Sequence, residues 1–313
     1  MPHVPIPESF RATIAGRAPE PEVSGADWLR RLPALIEASL GRWDLVPDGE
    51  VQHGECALVV PVRLRGNDFR AQTPDGSAIL KLTWPHGEAR LEHLALRDWS
   101  GRGAVRLLAA EPTAYVLLLE RLAPRALTEV SILEACEVIG TLVNTLDRPA
   151  GPQYERLSAK GARWREVLAQ GTPLVPRRLT EQASATLGHL LDGEVEGRLV
   201  HEDLHDANVL APLDPARGQW LAIDPKPVSG EWPYAVAPIV WNRAEATAAA
   251  HNPRMHVRLR ADIVADAAGL DPDRVAAWTL VRLVINAVWA ASFAPQSNAF
   301  RARMIMLAKA FTG

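Results

Sequence analysis

Residues 198–226 read RLVHEDLHDANVLAPLDPARGQWLAIDPK: two apolar, strand-like runs flank a tight polar loop, with a turn between them. Polar side chains gathered between β-runs suggest a site. His201-x-Asp203 is followed by Asn208 five residues after the aspartate, and Asp224 closes the second run in Ala222-Ile223-Asp224. This spacing matches a phosphoryl-transfer catalytic loop, and each residue type has a task there. A carboxylate must receive or orient the acceptor hydroxyl, and Asp203 in a turn can be aimed at that proton. Magnesium must neutralise the phosphates, and a hard cation takes oxygen ligands such as the Asn208 amide and the Asp224 carboxylate.

Upstream, Ala78-Ile79-Leu80-Lys81 ends a β-run, as does the strand lysine that contacts α- and β-phosphates. Glu88 and Glu92 follow on a segment of helical period, and one of them is expected to pair with Lys81; Glu92, preceding Leu94-Ala95-Leu96, is the favoured partner. Strand-like runs at 43–46, 57–64, 77–83, 105–109 and 115–120 surround it, with Pro74-Asp75-Gly76 as a turn. Beyond Leu122 the pattern is helical: Ser131 with Glu134 caps a helix over 132–146, and Asp271-Pro272 opens another reaching about Phe293. Near the start, Trp28, Leu29, Leu32, Leu35, Ile36 and Leu40 form an apolar helical stripe that Pro33 must begin or kink. Residues 1–122 are therefore expected to form a sheet-rich N-terminal lobe, with 1–24 an irregular arm, and residues 123–313 a helical C-terminal lobe carrying the catalytic loop.

The composition is that of a globular protein. Of 313 residues 48% are hydrophobic, and the formal net charge is -3, so no basic face for nucleic acid is indicated. Two cysteines far apart, Cys56 and Cys136, indicate neither a disulfide framework nor a cysteine zinc site, which fits a reducing, cytoplasmic setting. The N-terminus has no secretory pattern, and the longest apolar stretch, around 283–294, is interrupted by Asn286 and reads as too short for a membrane span.

Two rival classes use the same residues. His201-Glu202-x-x-His205 spells the HExxH zinc-hydrolase motif, which requires a helix to bring both histidines to one face. A non-catalytic nucleotide-binding protein of the same shape would lack the base, a metal ligand or the lysine, and the sequence retains all three.

Lys81, Glu92, Leu119-Glu120-Arg121-Leu122, His201-x-Asp203, Asn208 and Asp224, in this order, resemble the aminoglycoside phosphotransferase family over nearly the whole chain. Residues 101–108 (GRGAVRLL), Ile223-Asp224-Pro225-Lys226 and Gly230-Glu231 are similar to its streptomycin 6-phosphotransferase and hydroxyurea-resistance branch. The resemblance implies an α+β, protein-kinase-like bilobal fold with a small antiparallel-sheet lobe and a larger helical lobe. It also implies ATP and Mg2+ as cofactors, Asp203 as base, metal on Asn208 and Asp224, and adenine held through the Glu120 carbonyl and the Leu122 amide. The chain departs from the family in two places. Glu202 stands where a glycine is usual, and no GxGxxG precedes Lys81, although His53-Gly54-Glu55 lies in the expected hairpin.

A cationic small-molecule acceptor would want acids near Asp203, and Glu202, Asp206 and Glu231 are nearest in sequence. Trp232, Trp241 and Asn242 could line a wall for a sugar. Streptomycin-like aminoglycosides, hydroxyurea and other small metabolites all remain open as acceptors. The protein is expected to be a monomer or weak dimer, with no nucleic-acid or membrane partner.

Overall fold

Alternation of side chains in two long strands organises the first half of the chain. β1 (Leu45–Pro47), β2 (Gln52–His53), β3 (Ala57–Leu64), β4 (Ser77–Thr83), β5 (Leu107–Glu111) and β6 (Val116–Glu120) form one six-stranded sheet. Its order is β1-β3-β4-β6-β5, with β2 beside β3, and every pairing is antiparallel. In β3 and β4 the residues Leu58, Val60, Val62, Leu80 and Leu82 are completely buried. Each such side chain contributes about 1.5–3 kcal/mol by leaving water. The computed structural model describes residues 4–20, 23–66, 69, 72–73, 75–292 and 297–312.

Two helices precede the sheet. The arm expected over residues 1–24 contains α1 (Glu8–Ala15), whose Phe10 and Ile14 are fully buried in the core that also takes in the sheet. The proline content of the arm concealed this helix, because Pro7 is its N-cap residue and so interrupts no turn. α2 (Gly25–Arg42) starts where Ser24 Oγ accepts from the Asp27 amide at 3.1 Å. Pro33 lies inside it, away from its start. Gly25 is where the two helices meet: a Cβ there would stand 1.8 Å from the Ile14 carbonyl oxygen, so no larger residue fits without backbone movement. Pro74 of the expected turn lies outside the described residues; beside it, Asp75 Oδ1 accepts from the Ser77 amide at 3.0 Å. After β4 a 3-10 turn, Gly87–Leu91, leads into α3 (Glu92–Trp99).

The chain divides into two compact units, one holding the chain up to Ala123 together with Pro212–Gln219 and the other holding Pro124–Ala211 and the chain from Trp220. No composition change or repeat marks that returning segment in the sequence. β7 (Leu122–Ala126) runs through the division.

The second unit holds α4 (Ile132–Leu146), α5 (Leu157–Gln170) and α6 (Arg177–Leu191), then β8 (Arg198–His201), β9 (Val209–Pro212), β10 (Leu221–Ala222) and β11 (Pro227–Gly230). It closes with α7 (Trp232–Ala235), α8 (Ala237–Trp241), α9 (Ala244–Ala249), α10 (Pro253–Ala268), α11 (Pro272–Ala291) and α12 (Asn298–Ala308). Ser131 Oγ caps α4 by accepting from the Glu134 amide, and Asp271 caps α11 through the Asp273 and Arg274 amides. Among the described residues α11 alone has the length and apolar composition to cross a bilayer, which corrects the expectation of a stretch too short to span. Two-thirds of its most apolar window is buried inside the protein, with Trp278, Val281, Leu283 and Ile285 in the core.

Candidate active site

In the first unit, Lys81 projects from β4 and Glu92 opens α3. Lys81 Nζ lies 2.7 Å from Glu92 Oε1, and the two residues are only 7% and 3% exposed. Charges this deeply buried persist only as a pair, because either one alone would carry the full cost of leaving water. Glu88 sits in the 3-10 turn before α3 and is exposed. Gly54 donates its amide to the Ala57 carbonyl at the tip of the β2–β3 hairpin. α1 braces that hairpin: Ser9 Oγ is 2.7 Å from His53 Nε2, and the Phe10 ring stacks at a tilt 5.3 Å from the His53 ring.

Glu120 ends β6 opposite Ala78. Its carboxylate accepts from Arg217 at 2.7 and 3.2 Å and from the Arg106 amide at 2.8 Å. Arg217 also donates to the Gly101 and Ala104 carbonyls, so one guanidinium fastens the end of the strand to the turn after α3.

In the second unit the candidate loop is a turn from β8 into a 3-10 turn, Asp206–Asn208, which β9 then continues. The β8–β11 ladder pairs His201 with Pro227, and β9 pairs with β10 through Val209 and Ala222. His201 is fully buried and joins the two limbs. Its Nδ1 accepts from the Asp203 amide at 3.2 Å, which leaves Nε2 as the donor to the Ile223 carbonyl at 3.0 Å. Burial holds its pKa below the ordinary histidine value, so the neutral ring that these two bonds require is favoured. Asn208 Nδ2 donates to the Asp203 carbonyl at 2.9 Å, a bond that leaves its amide oxygen unused. Asp224 is exposed and held at φ +53°, a left-handed conformation that aspartate adopts more readily than most residues other than glycine. Lys226 Nζ lies 2.8 Å from Asp203 Oδ2.

The acids expected to greet a cationic acceptor already hold internal partners. Glu202 is buried and accepts from Lys160 on α5 and from the Tyr234 hydroxyl on α7. Burial pushes its carboxyl upward, but Lys160, with Arg282 behind it, and the Lys160 and Tyr234 hydrogen bonds outweigh that and hold it below the usual glutamate range. The Arg282 guanidinium packs over Tyr234 at 4.5 Å and over Trp241 at 5.0 Å. Asp206, 1% exposed, is 3.4 Å from Arg243 Nε. Glu231 accepts from Arg274 and from the Trp278 indole. Trp232 is buried, with its indole N–H donated to Asp147, and the Asn242 amide turns back onto the Pro238 carbonyl. Trp241 and Asn242 are half-buried.

The zinc-hydrolase reading fails on the same geometry. Residues 201–205 are a strand end and a turn, both His201 nitrogens are committed to backbone, and His205 Nδ1 accepts from the Ala207 amide.

A phosphotransferase of protein-kinase-like fold is what this sheet, buried lysine–glutamate pair and catalytic loop define. The model of the aminoglycoside/hydroxyurea antibiotic resistance kinase family matches residues 42–293, and the chain belongs to that family. Streptomycin 6-kinase of Streptomyces glaucescens is 38% identical over 294 residues, covering 91% of each chain. Hydroxyurea phosphotransferase of Kitasatospora aureofaciens is 37% identical over 279 residues, covering 85% of this chain and 75% of that one. The crystal structure of a choline kinase from Streptococcus pneumoniae aligns with 90% of this chain and 99% of its own, at a TM-score of 0.57 and 11% identity, and shares the fold. The protein is an O-phosphotransferase.

Proposed function

We propose that this enzyme moves the γ-phosphoryl group of ATP to a hydroxyl of a small cationic acceptor of the streptomycin type, as a cytoplasmic monomer or weak dimer. The observation that carries the reading is the locking of the catalytic loop. His201 ties the Asp203 amide to the Ile223 carbonyl, and Asn208 ties back to the Asp203 carbonyl, so the base and the two oxygen ligands are held by one hydrogen-bonded frame.

Asp203 accepts the proton of the acceptor hydroxyl as that oxygen bonds to the γ-phosphorus and the bond to the β-phosphate oxygen breaks, releasing ADP. Asn208 Oδ1 and the Asp224 carboxylate are two hard oxygen donors and suit Mg2+, which when bound neutralises phosphate charge. Lys81, kept in place by Glu92, is a cation for the nucleotide phosphates, and the Glu120 carbonyl and Leu122 amide serve adenine. The streptomycin 6-kinase relative favours an aminoglycoside acceptor, and the hydroxyurea phosphotransferase relative makes hydroxyurea the second to test.

The test is ADP release from MgATP with streptomycin, other aminoglycosides and hydroxyurea, run beside Asp203→Ala. Magnesium-dependent release with streptomycin, abolished in Asp203→Ala while nucleotide binding persists, is the expected result. Turnover by Asp203→Ala at the wild-type rate would remove Asp203 as the base.

A further inference from the structure

We infer that Lys226 is a positioning residue for the base, fixing the Asp203 carboxylate so that one oxygen alone meets the acceptor. The inference rests on Asp203 being the base, as proposed above. Lys226 Nζ holds Asp203 Oδ2 at 2.8 Å, whereas Oδ1 has only the edge of His205 at 3.9 Å, beyond hydrogen-bond reach. The two carboxylate oxygens are thus unlike. Oδ2 is occupied by a charge-assisted hydrogen bond, and Oδ1 keeps its lone pairs for an incoming hydroxyl.

The backbone makes this contact rigid. β8 and β11 pair His201 with Pro227, and the Glu202 amide donates to the Lys226 carbonyl at 3.0 Å, which sets Lys226 across from the residue before Asp203. The ammonium therefore approaches from the residue just before β11 and not from the loop it restrains. The Asp203 side chain is 21% exposed and that of Lys226 31%, so both remain open to substrate on one side. A carboxylate free to rotate about its Cβ–Cγ bond would present the correct lone pair only part of the time, and misplacement by about 1 Å can cost on the order of 100-fold in rate.

In the reaction the hydroxyl proton passes to Asp203 Oδ1, the new O–P bond forms and ADP departs, while the Lys226 proton count is unchanged. Lys226 acts through Asp203, so its loss should appear in kcat and leave KM for ATP in place.

The experiment measures ADP release from MgATP with streptomycin and with water as acceptors, for Lys226→Met, Lys226→Cys and Asp203→Asn, each checked for folding by circular dichroism. Lys226→Met is expected to lower kcat for both acceptors by about 30-fold to 100-fold with KM for ATP changed less than about twofold. Aminoethylation of Lys226→Cys, which restores an ammonium at nearly the original reach, is expected to recover most of that loss; the same treatment of wild type serves as the control. A wild-type kcat for folded Lys226→Met overturns the inference. So does a loss confined to KM for ATP, which would assign the ammonium to the nucleotide. Asp203→Asn separates the two readings: full turnover by that variant sinks the base assignment itself, whereas an inactive Asp203→Asn beside an unimpaired Lys226→Met sinks only the role of Lys226.

Discussion

Truncation of Glu202 to alanine should be among the most damaging single changes in the second unit, though no step of the chemistry touches that side chain. Glu202 is 7% exposed and is the shared acceptor for Lys160 and Tyr234. Removing it strands the Lys160 ammonium, whose side chain is 15% exposed, and a Tyr234 hydroxyl with no exposed surface. Breaking a buried pair by deleting one partner costs about 3–5 kcal/mol, and we expect about 4 kcal/mol for Glu202→Ala. Lys160→Met should cost less, because Glu202 keeps Tyr234 and the nearby Arg282 charge. The double variant Glu202→Ala/Lys160→Met should then be more stable than the sum of the singles predicts, since no uncompensated charge is left. Urea unfolding followed by tryptophan fluorescence suits the purpose: Trp164 packs 5.9 Å from Tyr234 and 6.0 Å from Lys160 Nζ. A Glu202→Ala stability within about 0.5 kcal/mol of wild type, the range of surface substitutions, would refute the reasoning, as would strict additivity in the double variant.

Gly140→Ala in α4 should destabilise by about 1–3 kcal/mol despite a gain in helix propensity of about 1 kcal/mol, because the new Cβ meets Ala267 Cβ at 2.5 Å and the Val264 carbonyl at 2.9 Å; a raised melting temperature would contradict this. Acid should weaken the fold through His201. The folded ring resists protonation and the unfolded one does not, so the unfolded state binds more protons as pH falls below about 6.5, and stability declines from there toward the lowered folded value. His201→Gln, which can keep one donor and one acceptor, should flatten that part of the stability profile, and an unchanged profile would show that His201 is not its source.

The candidate loop and the Lys81–Glu92 pair are legible because they join particular residue types over a short stretch of one chain: Asp203 to Asn208, and Lys81 followed by the acid that opens the next helix. α4 and α11 were equally legible, since Ser131 and Asp271 act on amides only two or three residues away. The contact of Lys226 with Asp203 is not legible in its motif, because it comes from the register of β8 on β11. The ion pairs of the acids near Asp203 are equally absent from the local sequence, because their cations arrive from distant parts of the chain, Lys160 on α5, Arg274 on α11 and Arg243 just before α9. α1 was hidden because prolines flank a helix as readily as they break one.

The segment Pro212–Gln219 carries a consequence for synthesis on the ribosome. Glu120 emerges with the first unit, but the guanidinium that neutralises its buried carboxylate belongs to Arg217, 97 residues further along. At translation rates of about 5–20 residues per second, the sheet must wait roughly 5–20 s with an unmatched acid at the end of β6. A nascent chain ending at Ala123 would therefore lack a piece of its own structure, and the unit cannot be completed in the order in which it is made: α4, α5 and α6 of the helical half must already have been synthesised before the first half receives its last charge.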